Sequence, residues 1–147
     1  MEETKRVPSE LEEGIAFLLS QAARAVARDL QSRLQPYGVT PPQLCVLSCL
    51  WEEDGLPANV LAERTTFDAP TITGILDRLE RQELVVRRRD SSDRRVVQAY
   101  LTERGAALRE GLPQIARDAN AAALAGLDPE RVAALREMLA RVIANFG

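Results

Sequence analysis

The sequence predicts a mainly α-helical fold carrying one small β-hairpin, and three observations carry that prediction. Apolar residues recur at three- and four-residue steps over most of the 147-residue chain. The period changes once, where Leu84-Val85-Val86 and Val96-Val97-Gln98-Ala99-Tyr100-Leu101 form β-branched-rich runs around a polar segment. Helix-start residues stand at Thr40, Asp68, Thr102 and Asp128, each just ahead of a periodic stretch.

A first helix is expected from Ser9 to Leu34, with Ser9 as cap, Glu10, Glu12 and Glu13 in its first turn, and a stripe of Leu11, Ile15, Leu18, Ala22 and Val26. Pro36 and Gly38 end it. Thr40-Pro41-Pro42-Gln43 opens the next helix with a capping box, and that helix runs to about Glu53. A short helix follows over Ala58 to Arg64, then a turn at Thr66-Phe67-Asp68. Asp68 caps a helix to about Glu83 in which Ile72, Ile75, Leu76 and Leu79 form one buried face. The two strands come next, joined by Arg87-Arg88-Arg89-Asp90-Ser91-Ser92-Asp93-Arg94-Arg95. A long helix from Glu103 to about Leu124 and a last helix after Asp128-Pro129 complete the chain.

Composition narrows the function. With 46% hydrophobic and 28% charged residues the chain is an ordinary globular one. No apolar stretch is long enough to span a bilayer. Met1-Glu2-Glu3-Thr4-Lys5-Arg6 leads into no apolar segment, so a cytoplasmic protein is expected. The absence of His removes His-based triads, His general bases and most transition-metal sites, and no carboxylate pair lies in an apolar context. No enzyme, no metal and no cofactor is therefore expected. The two cysteines, Cys45 and Cys49, are too few for a zinc knuckle; four residues apart, they read as small buried hydrophobes rather than a redox switch.

The net charge of −3 argues against nucleic acid, but its distribution argues for it. Residues 58–101 hold eight Arg against seven acids, and residues 87–95 hold five Arg against two Asp. Helix, turn, helix and Arg-tipped hairpin in this order is the layout of a winged helix-turn-helix, whose second helix fits a major groove about 12 Å wide. Pro70, Thr71, Thr73, Gly74 and Arg78 lie on that helix off its apolar face, where hydroxyls, backbone N–H groups and a guanidinium reach phosphates and base edges. Asp93, Arg94 and Arg95 lie at the hairpin, narrow enough for the minor groove. Taken singly, Arg78 and Arg81 read more readily as a solvated helix face with Asp77 and Glu80, and the Arg run reads equally as edge protection. A winged-helix module that binds protein and not DNA is the alternative reading. The stripe of the first helix, together with Leu135, Leu139, Val142 and Phe146 in the last, exceeds what one small winged domain covers, which points to a homodimer.

Leu61-Ala62-Glu63, Thr71-Ile72-Thr73-Gly74-Ile75-Leu76-Asp77-Arg78-Leu79-Glu80, Asp93-Arg94-Arg95, Leu101-Thr102-Glu103-Arg104-Gly105 and Gly126-Leu127-Asp128-Pro129-Glu130 together resemble the MarR family of multiple antibiotic resistance regulators. The resemblance spans nearly the whole chain. It implies a homodimer built from an N-terminal helix (9–35) and C-terminal helices (103–147) around a DNA-binding lobe (40–102). It also implies repression at palindromic operators in duplex DNA, relieved by a small anionic or phenolic effector. Thr71, Thr73 and Arg78 match its major-groove positions, Arg95 its minor-groove residue and Asp93 the residue that orders the wing. Its effector pocket, between the dimer helices and the DNA-binding lobe, would here draw on Phe17, Tyr37, Leu47 and Trp51, and plain core packing is the readier reading of each. Its peroxide-sensing branch carries a Cys near the start of the first helix, and none lies there in this chain. One departure concerns the recognition helix: the family carries Gly after it, and this chain has Gln82-Glu83. Glu83 is expected to use a geometry other than the left-handed cap Gly provides, and to place negative charge near the DNA side.

Overall fold

A computed structural model describes residues 7–147; residues 1–6, read above for a targeting signal, lie outside it. Helices α1 (Ser9–Glu12) and α2 (Ile15–Leu34) lead through a 3₁₀ turn at Gln35–Tyr37 to α3 (Pro41–Glu52). A short strand β1 (Leu56–Pro57), α4 (Ala58–Thr65) and α5 (Ala69–Arg81) follow, then the hairpin strands β2 (Val85–Arg89) and β3 (Val97–Leu101). Helix α6 (Glu103–Ala107), a 3₁₀ turn at Leu108–Glu110, α7 (Leu112–Ala123) and α8 (Pro129–Ala144) close the chain. The sheet is antiparallel in the order β1-β3-β2, with Val85 opposite Leu101 and Leu56 opposite Ala99.

The core lies between α3, α4, α5, the sheet and the start of α7. Leu34, Val46, Leu47, Leu50, Leu61, Ile72, Leu76, Leu79, Val85 and Leu112 are fully covered there. Ile72, Ile75, Leu76 and Leu79 bury one face of α5, as their spacing requires. The expected caps form. Thr40 and Gln43 close a reciprocal capping box at 3.3 and 3.0 Å, and the Asp68, Thr102 and Asp128 side chains accept from the amides of Thr71, Gly105 and Arg131.

Several elements differ from the sequence expectation. The first helix is broken. Pro8, not Ser9, holds the N-cap position of α1, without a side-chain cap bond, and the chain restarts at Gly14. The long helix after Thr102 is also broken, because Pro113 in the first turn of α7 cannot donate to the preceding turn. Helix α5 ends at Arg81, two residues early, and β2 takes in Arg87–Arg89, which the sequence assigned to the tip. Strand β1 was not foreseen: two residues ending in Pro carry no alternation to read.

The end of α5 corrects a second expectation. Glu83 itself takes the left-handed conformation, at φ 60°. Its amide donates to the Glu80 carbonyl at 3.0 Å and the Leu84 amide to the Leu79 carbonyl at 2.9 Å, the two bonds of a Schellman cap. The Thr102 hydroxyl donates to the Glu83 carbonyl at 2.7 Å and holds the turn from outside.

Leu11, Ile15, Leu18 and Val26 on α1 and α2 are exposed, as are Met138, Leu139 and Ile143 on α8 and Phe146 just beyond it. No residue of α8 is buried.

Candidate nucleic-acid interface

With the apolar face of α5 turned inward, its opposite face meets solvent. Pro70 stands in the first turn, and Pro70, Thr71, Thr73 and Arg78 are exposed along that face. The Thr71 hydroxyl and, next, its amide bond to Asp68 and hold that carboxyl below the ordinary carboxylate range. Asp68 therefore stays ionised and keeps the helix start ordered. The Thr73 hydroxyl donates to the Ala69 carbonyl at 3.0 Å, which leaves its oxygen lone pairs as outward acceptors. Nothing lies within 4 Å of where a side chain on Gly74 would begin, so the helix surface is open to close approach. Arg78 makes no ion pair among the described residues.

The wing tip is built from its own polar groups. The Asp90 amide donates to the Val96 carbonyl at 2.9 Å, and the Ser92 amide to the Asp90 carboxylate at 2.9 Å. Asp93 Oδ1 accepts from the Arg95 amide at 3.1 Å and from Arg95 Nε at 3.2 Å. Arg89 Nη1 donates to the Arg94 carbonyl at 2.7 Å. The Arg95 side chain remains 92% exposed. Asp93 thus fixes the backbone from which an unburied guanidinium projects.

Residues 39–97 match the model of the MarR family. The organic hydroperoxide resistance transcriptional regulator of Bacillus subtilis is 36% identical over 100 residues, covering 68% of this chain and 68% of the relative. The chain belongs to the MarR family. The transcriptional regulator TtmR of Methylorubrum extorquens is 38% identical over 102 residues, but the match spans only about half of that longer protein (52%, against 69% of this chain). Among solved structures, BpsR of Bordetella bronchiseptica, whose DNA binding is regulated by 6-hydroxynicotinic acid, superposes with a TM-score of 0.84 at 26% identity, covering 92% of this chain and 97% of that one. Among the described residues no helix is long and apolar enough to cross a membrane.

Within this MarR-family chain, five of the expected DNA-facing residues share the outer side of α5, and Asp93, Arg94 and Arg95 share the tip of the wing. The four residues named for an effector pocket are not gathered around one cavity. Leu47 and Trp51 are core residues, and the Trp51 indole donates to the Gly105 carbonyl at 2.9 Å. Phe17 is half-buried on α2. Tyr37 is the one that faces open space. It lines a groove with Arg81, Glu83 and Arg104, between the α2–α3 junction and the end of the recognition helix.

The cysteines also correct the sequence reading, because Cys45 is exposed and only Cys49 packs against the core, half-buried. Desolvation, first, raises both thiols above the ordinary range.

Sequence reasoning missed two polar links. Gln43 is 3% exposed; its Nε2 donates to Gln82 Oε1 at 2.8 Å, and Gln82 Nε2 donates to the Gly38 carbonyl at 2.6 Å. That chain ties the end of α5 to the α2–α3 junction. The other link is Arg87, which pairs with Asp77 at 2.6 Å and Glu80 at 3.0 Å instead of projecting from the wing. A salt-bridge partner on a different element leaves no periodic signal in sequence.

Proposed function

We propose that the chain is a homodimeric, sequence-specific DNA-binding repressor that a small anionic or phenolic ligand releases from a palindromic operator. One observation carries the reading: a helix face of Pro70, Thr71, Thr73, Gly74 and Arg78 is free beside a hairpin whose tip projects an unburied Arg95. The helix enters the major groove with Thr71, Thr73 and Arg78 toward phosphates and base edges. Arg95 enters the minor groove, where its charge reads width and potential, with Asp93 ordering the tip and Arg94 beside it. Residues 40–102 form the DNA-binding lobe, and the helices of 9–35 and 103–147 pair with a second copy. The apolar residues left uncovered on α1, α2 and α8 support that pairing. The groove at Tyr37, where Arg81 and Arg104 outnumber the one carboxylate of Glu83, supports an anionic effector, and the regulation of BpsR by 6-hydroxynicotinic acid supports a small aromatic acid.

Selection of bound duplexes from a random pool, followed by a ligand-release screen on the winning site, tests this. A palindrome with half-site centres roughly 10 base pairs apart is expected. Recovery of random sequence at every salt concentration contradicts specific binding.

A further inference from the structure

Arg87 lies in the arginine-rich segment, yet its side chain turns back onto α5. Its Nη2 stands 2.6 Å from Asp77 Oδ1 and 3.0 Å from Glu80 Oε1, and its amide donates to Glu80 Oε2 at 3.1 Å. Two carboxylates one helical turn apart converge on one guanidinium and one main-chain amide. The Arg87 side chain is 26% exposed, against 92% for Arg95.

We infer that Arg87 is a positioning residue: with Asp77 and Glu80 it forms a clamp that sets the angle between the recognition helix and the wing, so that both reach one duplex together. The inference rests on the DNA-binding reading above. The sheet order shows why a clamp is needed on this side. Strand β1 pairs with β3 at Ala99 and Gln98 and restrains the hairpin there, whereas β2 is an edge strand with no partner strand beyond it among the described residues. Arg87, which sits opposite Ala99, ties that free edge to α5. One guanidinium nitrogen, Nη2, reaches both carboxylates while the main-chain amide of the same residue bonds Glu80, so the strand is tied to one rigid helix at two points of Arg87, which fixes direction as well as distance. The pairing also gives Asp77 and Glu80 a role. Two acids beside a DNA-facing surface repel phosphate, and Arg87 offsets one of their two charges in place. The Glu80 carboxyl is accordingly held below its ordinary range, first by the bond from the Arg87 side chain, and Arg87 is raised, first by Glu80.

The test uses a double variant whose plain electrostatic effect has the opposite sign. Asp77→Asn with Glu80→Gln removes two negative charges per subunit and keeps the side-chain shapes. Charge alone makes it bind the selected operator more tightly. The clamp makes it bind more weakly, by about tenfold. Hydroxyl-radical protection by the wing is lost from the minor groove, while methylation protection of major-groove guanines persists. Arg87→Ala weakens binding without changing the slope of log K against log salt, because no phosphate contact is removed. Equal or tighter binding by the double variant, or a slope reduced by roughly 2 in the Arg87→Ala dimer, overturns the clamp. A DNA-free measurement separates it from the functional reading. Spin labels at Glu63→Cys and Ser92→Cys, in a Cys45→Ser/Cys49→Ser background and in dimers diluted with unlabelled chain, give one narrow intra-chain distance distribution with the clamp intact and a broadened one in the double variant. An unchanged distribution overturns the clamp whether or not the protein binds DNA.

Discussion

Gly105 and Leu84 are packed so closely that a β-carbon on Gly105 would stand 2.1 Å from the Leu84 carbonyl oxygen. That oxygen also accepts from the Thr102 amide at 3.1 Å, and the Gly105 carbonyl accepts the buried indole of Trp51 at 2.9 Å. The contact joins the wing, α6 and α3. Gly105→Ala must push these apart and is expected to cost ~3 kcal/mol, read as a lowered thermal midpoint. A midpoint within a degree of the parent's contradicts this packing.

The left-handed turn at Glu83 gives a prediction of the opposite sign. Glycine adopts φ 60° without the strain a side chain incurs, so Glu83→Gly is expected to stabilise the fold by about 1 kcal/mol in chemical denaturation. The exposed contact to Arg104 at 3.4 Å that it removes contributes little. Destabilisation would mean that Glu83 holds the turn by more than its backbone.

Light scattering of the intact protein at low micromolar concentration should give twice the 16.2 kDa chain mass. Interfaces of the obligate kind remove roughly 2,000 Å² or more, and the uncovered apolar residues of α1, α2 and α8 are the surface available. Ile143 is 73% exposed and Phe146 89% exposed in the single chain. Ile143→Glu with Phe146→Glu is expected to give monomers and to abolish operator binding. A monodisperse monomer of the parent contradicts the dimer.

The cysteines should be silent. Although Cys45 is exposed, both thiols are raised by desolvation, so at neutral pH they are protonated and poor nucleophiles. Mild peroxide is expected to leave DNA binding unchanged. Release by peroxide that disappears in Cys45→Ser or Cys49→Ser would show a redox switch, as the similarity to a hydroperoxide-resistance regulator invites.

Much of this architecture was legible because it is written locally. Ile72, Ile75, Leu76 and Leu79 specify a buried face within three turns, and Thr40, Asp68, Thr102 and Asp128 each mark a helix start within four residues. What was not legible depends on partners distant in sequence. Strand β1 exists because β3 passes beside it, Gln43 finds its partner 39 residues away, and Arg87 turns inward because Asp77 and Glu80 lie under the wing. Glu83 was misjudged because a local preference against left-handed geometry was outweighed by the bonds of Leu84 and Thr102. Leu47 and Trp51 drew attention as pocket residues because size and apolarity do not distinguish a cavity wall from a core.

The most direct test of the central claim is a salt series on Arg95→Ala, Arg78→Ala and Thr73→Ala, each measured on the operator and on a scrambled duplex. Removing Arg95 from both subunits should weaken binding to both duplexes and reduce the salt slope by roughly 2, with the preferred operator unchanged. Arg78→Ala and Thr73→Ala should relax preference at a few base pairs per half-site, each costing about 1–3 kcal/mol where the contact is to a base edge. If Arg95→Ala binds both duplexes like the parent at every salt concentration, the wing does not touch DNA and the account fails.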